Sequence, residues 1–409
     1  MRILQVNKFN YPRAGAEKYF LWLSRALTKA GHQVAIFSMN HPKNLASTWK
    51  KYFVSEIDFN SNNLKDQFRS PKRIIYCSEA KIKFSELIDN FKPDLIHCHN
   101  IYHQLSPSIL EAASEKNIPV IMHLHDYKLI CPNYRLFSKN KICLECLNKK
   151  SYLPVIKNNC YESFPRSVLA YLEMTLHNKI WKIYQNNLDL LIAPSRFIQK
   201  LFISNGWSKE KVLFVNNPAP TVNNKANKKT GEYFLYFGRL APEKGIEDLV
   251  AAIRESNLKL KIAGIGPSEK KLKRLCSAEI KNNQIKFIGQ LAEKELTKEI
   301  LEARAVVIPS RWLENMPLSL LESLAIGKIV IASRLGGLPE IIRDGDNGYL
   351  FKPGNMPDLS SKLRRTASLS EKEKIKIETS ARETANELNP EDHLTKILNI
   401  YRKLAKKSA

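Results

Sequence analysis

Residues 308–340 read IPSRWLENMPLSLLESLAIGKIVIASRLGGLPE, and this stretch decides the fold. It begins at the end of one short apolar run, continues through a segment that Pro317 can open as a helix, and includes a second apolar run, KIVIAS. A strand, a helix and a further strand in this order are typical of a parallel sheet. The stretch therefore predicts an α/β architecture.

Two glutamates in this stretch, Glu314 and Glu322, stand eight positions apart. If a helix follows Pro317, Glu314 lies in the loop before its first turn and Glu322 lies on its body. The two carboxylates would then reach different parts of one ligand. This spacing favours two separate ligand contacts over a pair that activates water.

The length of 409 residues exceeds what one ordinary hydrophobic core needs, so we expect two domains of comparable size. The longest apolar runs, such as LDLLIAPS, are far shorter than the roughly 20 residues of a membrane-spanning helix. The first residues, MRILQVNKF, lack the apolar core of a signal peptide. These features predict a cytoplasmic protein.

The formal net charge is +25, and both halves of the chain are basic, the first half more so. Runs such as KKLKR resemble solvated helix faces, and neither an aromatic RNA-binding signature nor a zinc-finger spacing is present, so no nucleic-acid partner is expected. An anionic membrane surface fits better, because each basic residue near it contributes about 1 kcal/mol. We expect the first half to make that contact, at the inner face of the plasma membrane.

The first half alternates short apolar runs with helical patterns, beginning with RILQVN and a helix near residues 16–30. This order predicts a Rossmann-like domain over residues 1–218, interrupted by a Cys-containing insertion at 127–165. Residues 219–230 lack a periodic apolar signal and predict an interdomain linker.

A second series of apolar runs, which includes EYFLYFG and ARAVVIPS, predicts another Rossmann-like domain over residues 231–390. The second half repeats the architecture of the first but not its sequence. Residues 391–409 carry apolar side chains at helical spacing, and they predict an amphipathic helix packed on the body of the protein.

The segment GRLAPEKG follows the first strand of the second half, at the strand end where open α/β sheets bind ligands. Gly238 lies at the end of that strand, and Arg239 and Lys244 follow it. An arginine fork and a lysine charge on one loop suit a diphosphate. The alternative for this segment alone is a solvated basic loop.

The segment LENMPLSLLESLAIG offers the backbone amides of Asn315, Met316 and Leu318 at the start of a helix, where amides and the helix dipole favour phosphate. Pro317 suits the first helical position. Glu322, more than one turn along, could accept hydrogen bonds from two neighbouring hydroxyls, as a ribose presents them. The alternative is a surface glutamate on an amphipathic helix.

Together these motifs resemble the family 4 glycosyltransferases, and the resemblance covers nearly the whole chain. It rests on a strand ending in Pro-Ser, two glutamates separated by seven residues and the pattern G-R-L-x-x-x-K-G, found here at Pro309, Ser310, Glu314, Glu322 and residues 238–245. The resemblance implies the GT-B fold, in which two Rossmann-like domains face each other across a cleft. It also implies retaining transfer from a nucleotide sugar without a catalytic metal.

By position, the resemblance implies that Glu314 contacts hydroxyls of the donor sugar and that Glu322 contacts the nucleotide ribose. It assigns the diphosphate to Arg239 and Lys244. The residue after the first glutamate is usually glycine in the family and is Asn315 here. This departure adds a side chain next to the donor sugar.

Two N-terminal segments extend the resemblance. NYPRAGAEKY is similar to the family's glycine-rich turn, where Gly15 can adopt positive φ freely, and it would face the donor phosphates. His125 and Asp126 follow the strand PVIMHLH, where the family often carries His-Asp near the reaction centre. For His125 we favour sugar binding, through the 6-hydroxyl, over acid–base chemistry, which needs geometry that a sequence does not show. The predicted catalytic set is Arg239, Lys244, Glu314 and His125.

Four of the seven cysteines fall within thirty residues with the spacing C-x11-C-x2-C-x13-C, at Cys131, Cys143, Cys146 and Cys160. Such a spacing in a cytoplasmic protein is typical of zinc ligands. The insertion around them has few apolar residues with which to build its own core, so a structural zinc ion would explain its order. The alternative is four reduced cysteines with no shared role.

We therefore expect a retaining glycosyltransferase that moves a sugar from a nucleotide sugar to a glycan or lipid-linked acceptor, in cell-surface polysaccharide or glycolipid biosynthesis. One alternative is a noncatalytic nucleotide- or glycan-binding scaffold with the same fold. Another is a phosphorylase-like or epimerase-like enzyme, although no distinct cofactor-lysine motif is present.

Overall fold

The computed structural model describes residues 1–59, 71–222 and 231–408. Most of the predicted linker, residues 223–230, lies outside these ranges, as does Ala409. Within them, no helix combines the length and the apolar character that a bilayer crossing requires.

The first half is built on a parallel sheet. Its strands are, in chain order, β1 (Arg2–Val6), β2 (Gln33–Phe37), β3 (Leu95–Cys98), β4 (Val120–His123), β5 (Phe137–Ser138), β6 (Lys141–Ile142), β7 (Leu190–Ala193) and β8 (Val212–Phe214). Six of them pair in the order β2-β1-β3-β4-β7-β8, and all of these pairs are parallel. Strands β5 and β6 form a short antiparallel hairpin inside the insertion. Because β3 and β4 are buried along their whole length, their sequences are apolar without alternation.

Helices cover both faces of this sheet and build most of the insertion. They are α1 (Gly15–Lys29), α2 (Ser78–Phe91), α3 (Tyr102–Leu105), α4 (Ser108–Glu115), α5 (Glu145–Asn148), α6 (Pro154–Lys157), α7 (Phe164–Thr175), α8 (Ile183–Asn187) and α9 (Arg196–Ser204). A π-helical turn, Leu176–Ile180, continues α7.

The second half repeats this plan. Its strands are β9 (Tyr233–Phe237), β10 (Lys259–Ala263), β11 (Ile285–Gly289), β12 (Ala305–Ile308), β13 (Val330–Ser333) and β14 (Tyr349–Phe351). They form a parallel sheet in the order β11-β10-β9-β12-β13-β14. The helices are α10 (Ile246–Ser256), α11 (Glu269–Leu275), α12 (Ser277–Lys281), α13 (Glu293–Glu302), α14 (Leu318–Ile326), α15 (Leu338–Ile341), α16 (Met356–Ala367), α17 (Glu371–Asn386) and α18 (Pro390–Ser408).

The predicted fold class is confirmed: the chain forms two Rossmann-like domains of the GT-B type. The helix predicted at 391–409 runs as α18 and crosses back onto the first domain. Its apolar side chains join a core cluster beneath β1, β3, β4 and β7, where it contributes Ile397, Leu398, Tyr401 and Leu404.

The sequence predicted that the insertion at 127–165 has few apolar residues for a core of its own. In the structure several of its apolar residues are buried in the core of the first domain. Tyr127, Ile130, Leu136 and Leu147 are buried and belong to the main core cluster of the first domain. The insertion therefore gains much of its order by burying apolar side chains against the sheet domain.

Candidate active site

Two glycines shape the loop after β9, and one of them, Gly245, approaches the end of β12 closely. Gly238 has a φ of 146° and Gly245 a φ of 66°, both of which favour glycine. A Cβ atom at Gly245 would lie 1.9 Å from the carbonyl oxygen of Pro309. This close approach places Lys244 beside the residues that follow β12.

Lys244 and Glu314 form a mostly buried ion pair at this point. The Nζ atom of Lys244 donates to Oε1 of Glu314 at 2.7 Å, and the Ser310 hydroxyl donates to the same oxygen at 2.5 Å. Nζ also lies 4.8 Å from the ring centre of Trp312. The resemblance assigned Lys244 to a diphosphate and Glu314 to a sugar. In the structure the two side chains form one ion pair.

Arg239 is the more exposed of the two predicted phosphate ligands. Its guanidinium pairs with the buried carboxylate of Glu243, yet 49% of its side chain remains exposed. Glu243 also lies 3.9 Å from Arg135 of the insertion. Arg239 therefore keeps hydrogen-bond donors available to an anion in the cleft.

The helix α14 begins one residue later than predicted. Pro317 has ψ 138° and is the extended residue before the helix, so the first helical position belongs to Leu318. Glu314 lies in the preceding loop, as the spacing predicted. Glu322 lies on the helix body and accepts a hydrogen bond from Lys18 of the first domain at 3.0 Å. Sequence reasoning missed Lys18, because no local pattern connects it with Glu322.

Asn315, the residue that departs from the family pattern, joins the two domains. Its side-chain amide donates to the backbone carbonyl of His125 at 2.8 Å. Its other side-chain atom, Oδ1, is buried and has no hydrogen-bond partner in the described part of the chain. The side chain that replaces the usual glycine is thus used for an interdomain contact, and it leaves one acceptor unused.

Gly15 is the first residue of α1, and its φ is not in the positive region that glycine can adopt freely. A Cβ atom there would lie 3.7 Å from the Leu318 side chain, which is ordinary van der Waals contact. The beginnings of α1 and α14 therefore meet across the cleft. The φ of Gly15 is not positive, and the space beside it would admit a Cβ atom.

The hydrogen bonds of His125 define which ring nitrogen carries the proton. His125 Nε2 lies 2.9 Å from His99 Nδ1, and His99 Nε2 lies 2.9 Å from the side-chain oxygen of Gln5. With the Gln5 amide in this orientation, the oxygen only accepts, so His99 Nε2 donates to it and His99 Nδ1 accepts from His125 Nε2. This leaves Nδ1 of His125 as an acceptor, suited to a sugar hydroxyl.

Helix α18 supports this arrangement on the face of the sheet to which Gln5 and His97 point. The Tyr401 hydroxyl lies 2.5 Å from Nδ1 of His97 and 3.4 Å from the Gln5 amide nitrogen. By donating to His97 and accepting from Gln5, Tyr401 turns the Gln5 oxygen toward His99. The tautomer of His125 thus depends on contacts that reach the C-terminal helix.

Burial keeps these histidines neutral. It lowers the pKa of His125 to about 3 and that of His97 to about 3, and it lowers the pKa of His99 and His123 well below 6.5. A neutral His125 is a poor proton donor near pH 7. The role of His125 in binding the sugar stays a prediction.

Two glycines that the sequence reasoning did not assign shape the same site. A Cβ atom at Gly336 would lie 2.0 Å from the carbonyl oxygen of Glu314, and one at Gly337 would lie 2.0 Å from that of Asn315. Glu340 then accepts hydrogen bonds from the backbone amides of Arg196 and Phe197 at the start of α9, at 2.8 and 2.5 Å. The pair Gly336-Gly337, which follows the strand KIVIAS in the sequence, was the signal that could have predicted this close approach.

The four cysteines of the insertion line one small cavity together with Asn133, Phe137 and Pro154. Each thiol is free, and burial raises the pKa of Cys131 to about 11. In the described residues, no group of three or more His, Cys, Asp and Glu side chains is positioned to hold a metal ion. Zinc binding by Cys131, Cys143, Cys146 and Cys160 therefore stays a prediction.

Comparisons with known proteins agree with this geometry. The family model described as Glycosyltransferase Family 4 matches residues 13–222, and the one described as Glycosyl transferases group 1 matches residues 220–384. An uncharacterized glycosyltransferase of Methanocaldococcus jannaschii is 31% identical over 187 residues, which are 45% of this chain and 51% of that protein. The match thus spans about half the length of that relative.

Two other similarities cover more of the chain. An uncharacterized 42.6 kDa protein in the cps region of Klebsiella pneumoniae is 24% identical over 367 residues, 86% of this chain and 90% of that protein. The crystal structure of Anabaena HepE in complex with UDP-glucose superposes with a TM-score of 0.67 at 18% identity, over 99% of this chain and 100% of the other. The first family model covers more than half of the chain, and its match reaches from the loop before α1 to the end of the first domain. The chain belongs to glycosyltransferase family 4 and is a glycosyltransferase.

Proposed function

We propose that this enzyme transfers a sugar from a nucleotide sugar to an acceptor hydroxyl with retention of the anomeric configuration. One observation carries the proposal. The predicted donor-binding groups of the second domain lie beyond the carboxyl ends of its strands, on the loop of Arg239 and Lys244 and around the start of α14, which includes Glu314 and Glu322. They face His125 and Gly15 of the first domain.

Each group has a role in this proposal. Arg239 and Lys244 bind the diphosphate, together with the backbone amides of Asn315, Met316 and Leu318. Glu314 accepts hydrogen bonds from hydroxyls of the donor sugar. Glu322 accepts from the nucleotide ribose, which takes over from Lys18 as its partner. His125 accepts from the sugar through Nδ1.

The chemical step depends on the leaving group. As the bond between the sugar and the diphosphate breaks, negative charge grows on the phosphate, and the two cations and the amides meet it. The departing phosphate oxygen takes the proton of the acceptor hydroxyl, which attacks from the same face of the sugar. Configuration is retained without a protein nucleophile, and no catalytic metal is required.

The test is a screen of nucleotide sugars for hydrolysis and transfer in the presence of EDTA, starting with UDP-glucose because HepE is known in complex with it. We expect turnover with at least one donor, and proton NMR of the product should show the donor's anomeric configuration. Loss of activity on EDTA treatment, with recovery on adding Mg²⁺, would contradict the metal-free mechanism, and an inverted product would contradict retention.

The acceptor that we propose is a glycan or a lipid-linked sugar used in cell-surface polysaccharide or glycolipid biosynthesis. The support is the similarity to a protein of the Klebsiella pneumoniae cps region. The same screen, with an added arm that contains a glycan and inorganic phosphate, separates the alternatives. Nucleotide binding without turnover of any donor would favour a noncatalytic scaffold, and phosphate-dependent cleavage of a glycan would favour a phosphorylase.

For the insertion we propose a structural zinc ion held by Cys131, Cys143, Cys146 and Cys160. The support is that the four side chains line one cavity, into which zinc would draw the sulfur atoms while it deprotonates them. Metal analysis of protein purified without chelator should find one zinc per chain in the wild type and none in the Cys143→Ser, Cys146→Ser double variant. The proposal would be wrong if the wild-type protein contained no zinc and if adding zinc left its thermal stability unchanged.

A further inference from the structure

The helical segment that follows the insertion exposes its apolar side. This segment, residues 164–181, comprises α7, the π-helical turn and Trp181. The exposed fractions of its large apolar side chains are 64% for Phe164, 47% for Leu172, 63% for Ile180 and 39% for Trp181. On a helix these positions share a face with Val168, Leu169 and Leu176, which are only partly buried. The face forms an apolar strip, which soluble proteins rarely leave open.

The opposite side of the same segment buries polar groups. Glu173 accepts from Lys128 Nζ at 2.7 Å and lies 3.2 Å from His103 Nε2, and His177 Nε2 donates to the carbonyl of Ile75 at 2.7 Å. These bonds fix the rotation of the segment about its axis. Turning the apolar strip inward would leave a buried ion pair broken, which is strongly unfavourable.

Basic residues surround the strip. Residues 139–182 contain eight Lys and Arg residues and three Asp and Glu residues, and one of those acids, Glu173, is buried against Lys128. Arg166 and Lys179 lie on the segment itself, Lys182 follows it directly, and all three are exposed. Lys179 also donates to the carbonyl of Lys150 in the adjoining insertion, next to the exposed side chain of Leu153.

From this arrangement we propose that residues 164–181 dock on the headgroup region of an anionic lipid bilayer. An exposed strip of Phe, Leu, Ile and Trp with Lys and Arg beside it is the pattern of helices that lie in a membrane interface. The charge selects this occupant, because a second copy of the chain would bring an equally basic surface against this one. The docking does not require the proposed transfer reaction.

The surface also has a defined relation to the candidate active site. Lys128, which holds the buried side of the segment through Glu173, follows His125 by three residues and Asp126 by two. Docking would therefore bring the wall of the cleft that carries His125 toward the bilayer, where a lipid-linked acceptor lies. This last step rests on the proposed function.

The experiment is vesicle flotation without substrates at low salt, with phosphatidylcholine vesicles that contain or lack phosphatidylglycerol. We expect the wild type to float only with the anionic vesicles. Leu172→Ser with Ile180→Ser should weaken binding about tenfold or more, because two apolar side chains no longer enter the interface. Ile82→Ser with Ile375→Ser, at positions that are 59% and 53% exposed elsewhere, is the matched control and should bind as the wild type does.

A second pair of variants tests the charge. Lys179→Glu with Lys182→Glu should lower flotation with anionic vesicles, whereas Lys372→Glu with Lys376→Glu makes the same change in net charge on α17 and should lower it much less. Equal losses in both pairs, or no flotation of the wild type, would overturn the proposal. Light scattering that shows a wild-type dimer dissociated by the Leu172→Ser, Ile180→Ser pair would assign the strip to a second copy instead. Because flotation is measured without donor or acceptor, its failure is distinct from a failure of the transfer assay.

Discussion

Replacing Lys244 with alanine tests the proposed anion site most directly. Lys244 Nζ lies 2.7 Å from Glu314 Oε1, and the Glu314 side chain is only 4% exposed, so the substitution removes the cation that pairs with this buried carboxylate. We expect turnover at saturating donor to fall about 10²-fold or more, as when a charge-stabilising group is removed from a developing anion. This factor corresponds to about 2.7 kcal/mol of transition-state stabilisation.

The same change should also destabilise the fold, because it leaves Glu314 with the Ser310 hydroxyl as its remaining hydrogen-bond donor. Breaking a buried ion pair by removing one partner costs about 3–5 kcal/mol, and the retained hydrogen bond places the expected loss at the lower end. Adding Glu314→Gln to the alanine variant removes the unpaired charge. The double variant should therefore recover much of the free energy of unfolding but none of the turnover.

Two measurements decide the outcome: the initial rate at saturating donor, and the free energy of unfolding from denaturant titration. Lys244→Arg is the matched control, since it keeps the positive charge and should retain more turnover than alanine does. Near-wild-type turnover of a folded Lys244→Ala enzyme would refute the assignment. Recovery of turnover in the double variant would show instead that Lys244 acts only by neutralising Glu314.

The remaining predictions concern three other parts of the structure. Glu322→Ala should weaken binding of the free nucleotide about tenfold in calorimetry, as expected for lost hydrogen bonds between a carboxylate and a ribose, and unchanged affinity would remove Glu322 from the ribose site. Asn315→Gly should raise the KM for the donor about fivefold, because one hydrogen bond between the domains, to the His125 carbonyl, is lost; a KM within error of the wild type would show that this bond does not hold the cleft. Burial lowers the pKa of His97 from 6.5 to about 3, so the unfolded chain binds more protons between these values and the protein should lose stability as the pH falls below 6.5. For His97 alone the loss is about 2 kcal/mol near pH 5, and equal free energies of unfolding at pH 7 and pH 5 would contradict it.

The sequence predicted the fold because its signal is local. Parallel strands buried on both faces read as short apolar runs, and the loops after them carry the polar residues that meet at one edge of each sheet. Gly238, Lys244 and Glu314 could be placed at that edge from the end of a strand alone. Because β9 and β12 are neighbours in the sheet, the loops that follow them bring Lys244 and Glu314 into contact.

What the sequence did not predict depends on pairs of residues far apart in the chain. The contacts of Lys18 with Glu322, of Asn315 with the His125 carbonyl and of Glu340 with the start of α9 join the two domains, and no spacing within either domain encodes them. Gly15 can adopt positive φ freely, but it begins α1 without using that freedom, and the space beside it would admit a Cβ atom. The apolar strip of residues 164–181 is another such feature, because periodicity alone does not show which side of a helix is buried.

The return of α18 to the first domain has a consequence for synthesis. In the core cluster that they share, the first domain contributes its last buried residue at Val215 and α18 contributes its first at Ile397, so about 180 residues of chain must be made between the two sides of the cluster. While the ribosome is producing the second domain, α1 can cover this face of the first sheet only in part, and the area that α18 buries remains open to solvent and chaperones. The first domain can reach its native stability only after the second has been synthesised, which couples the maturation of both halves of the cleft.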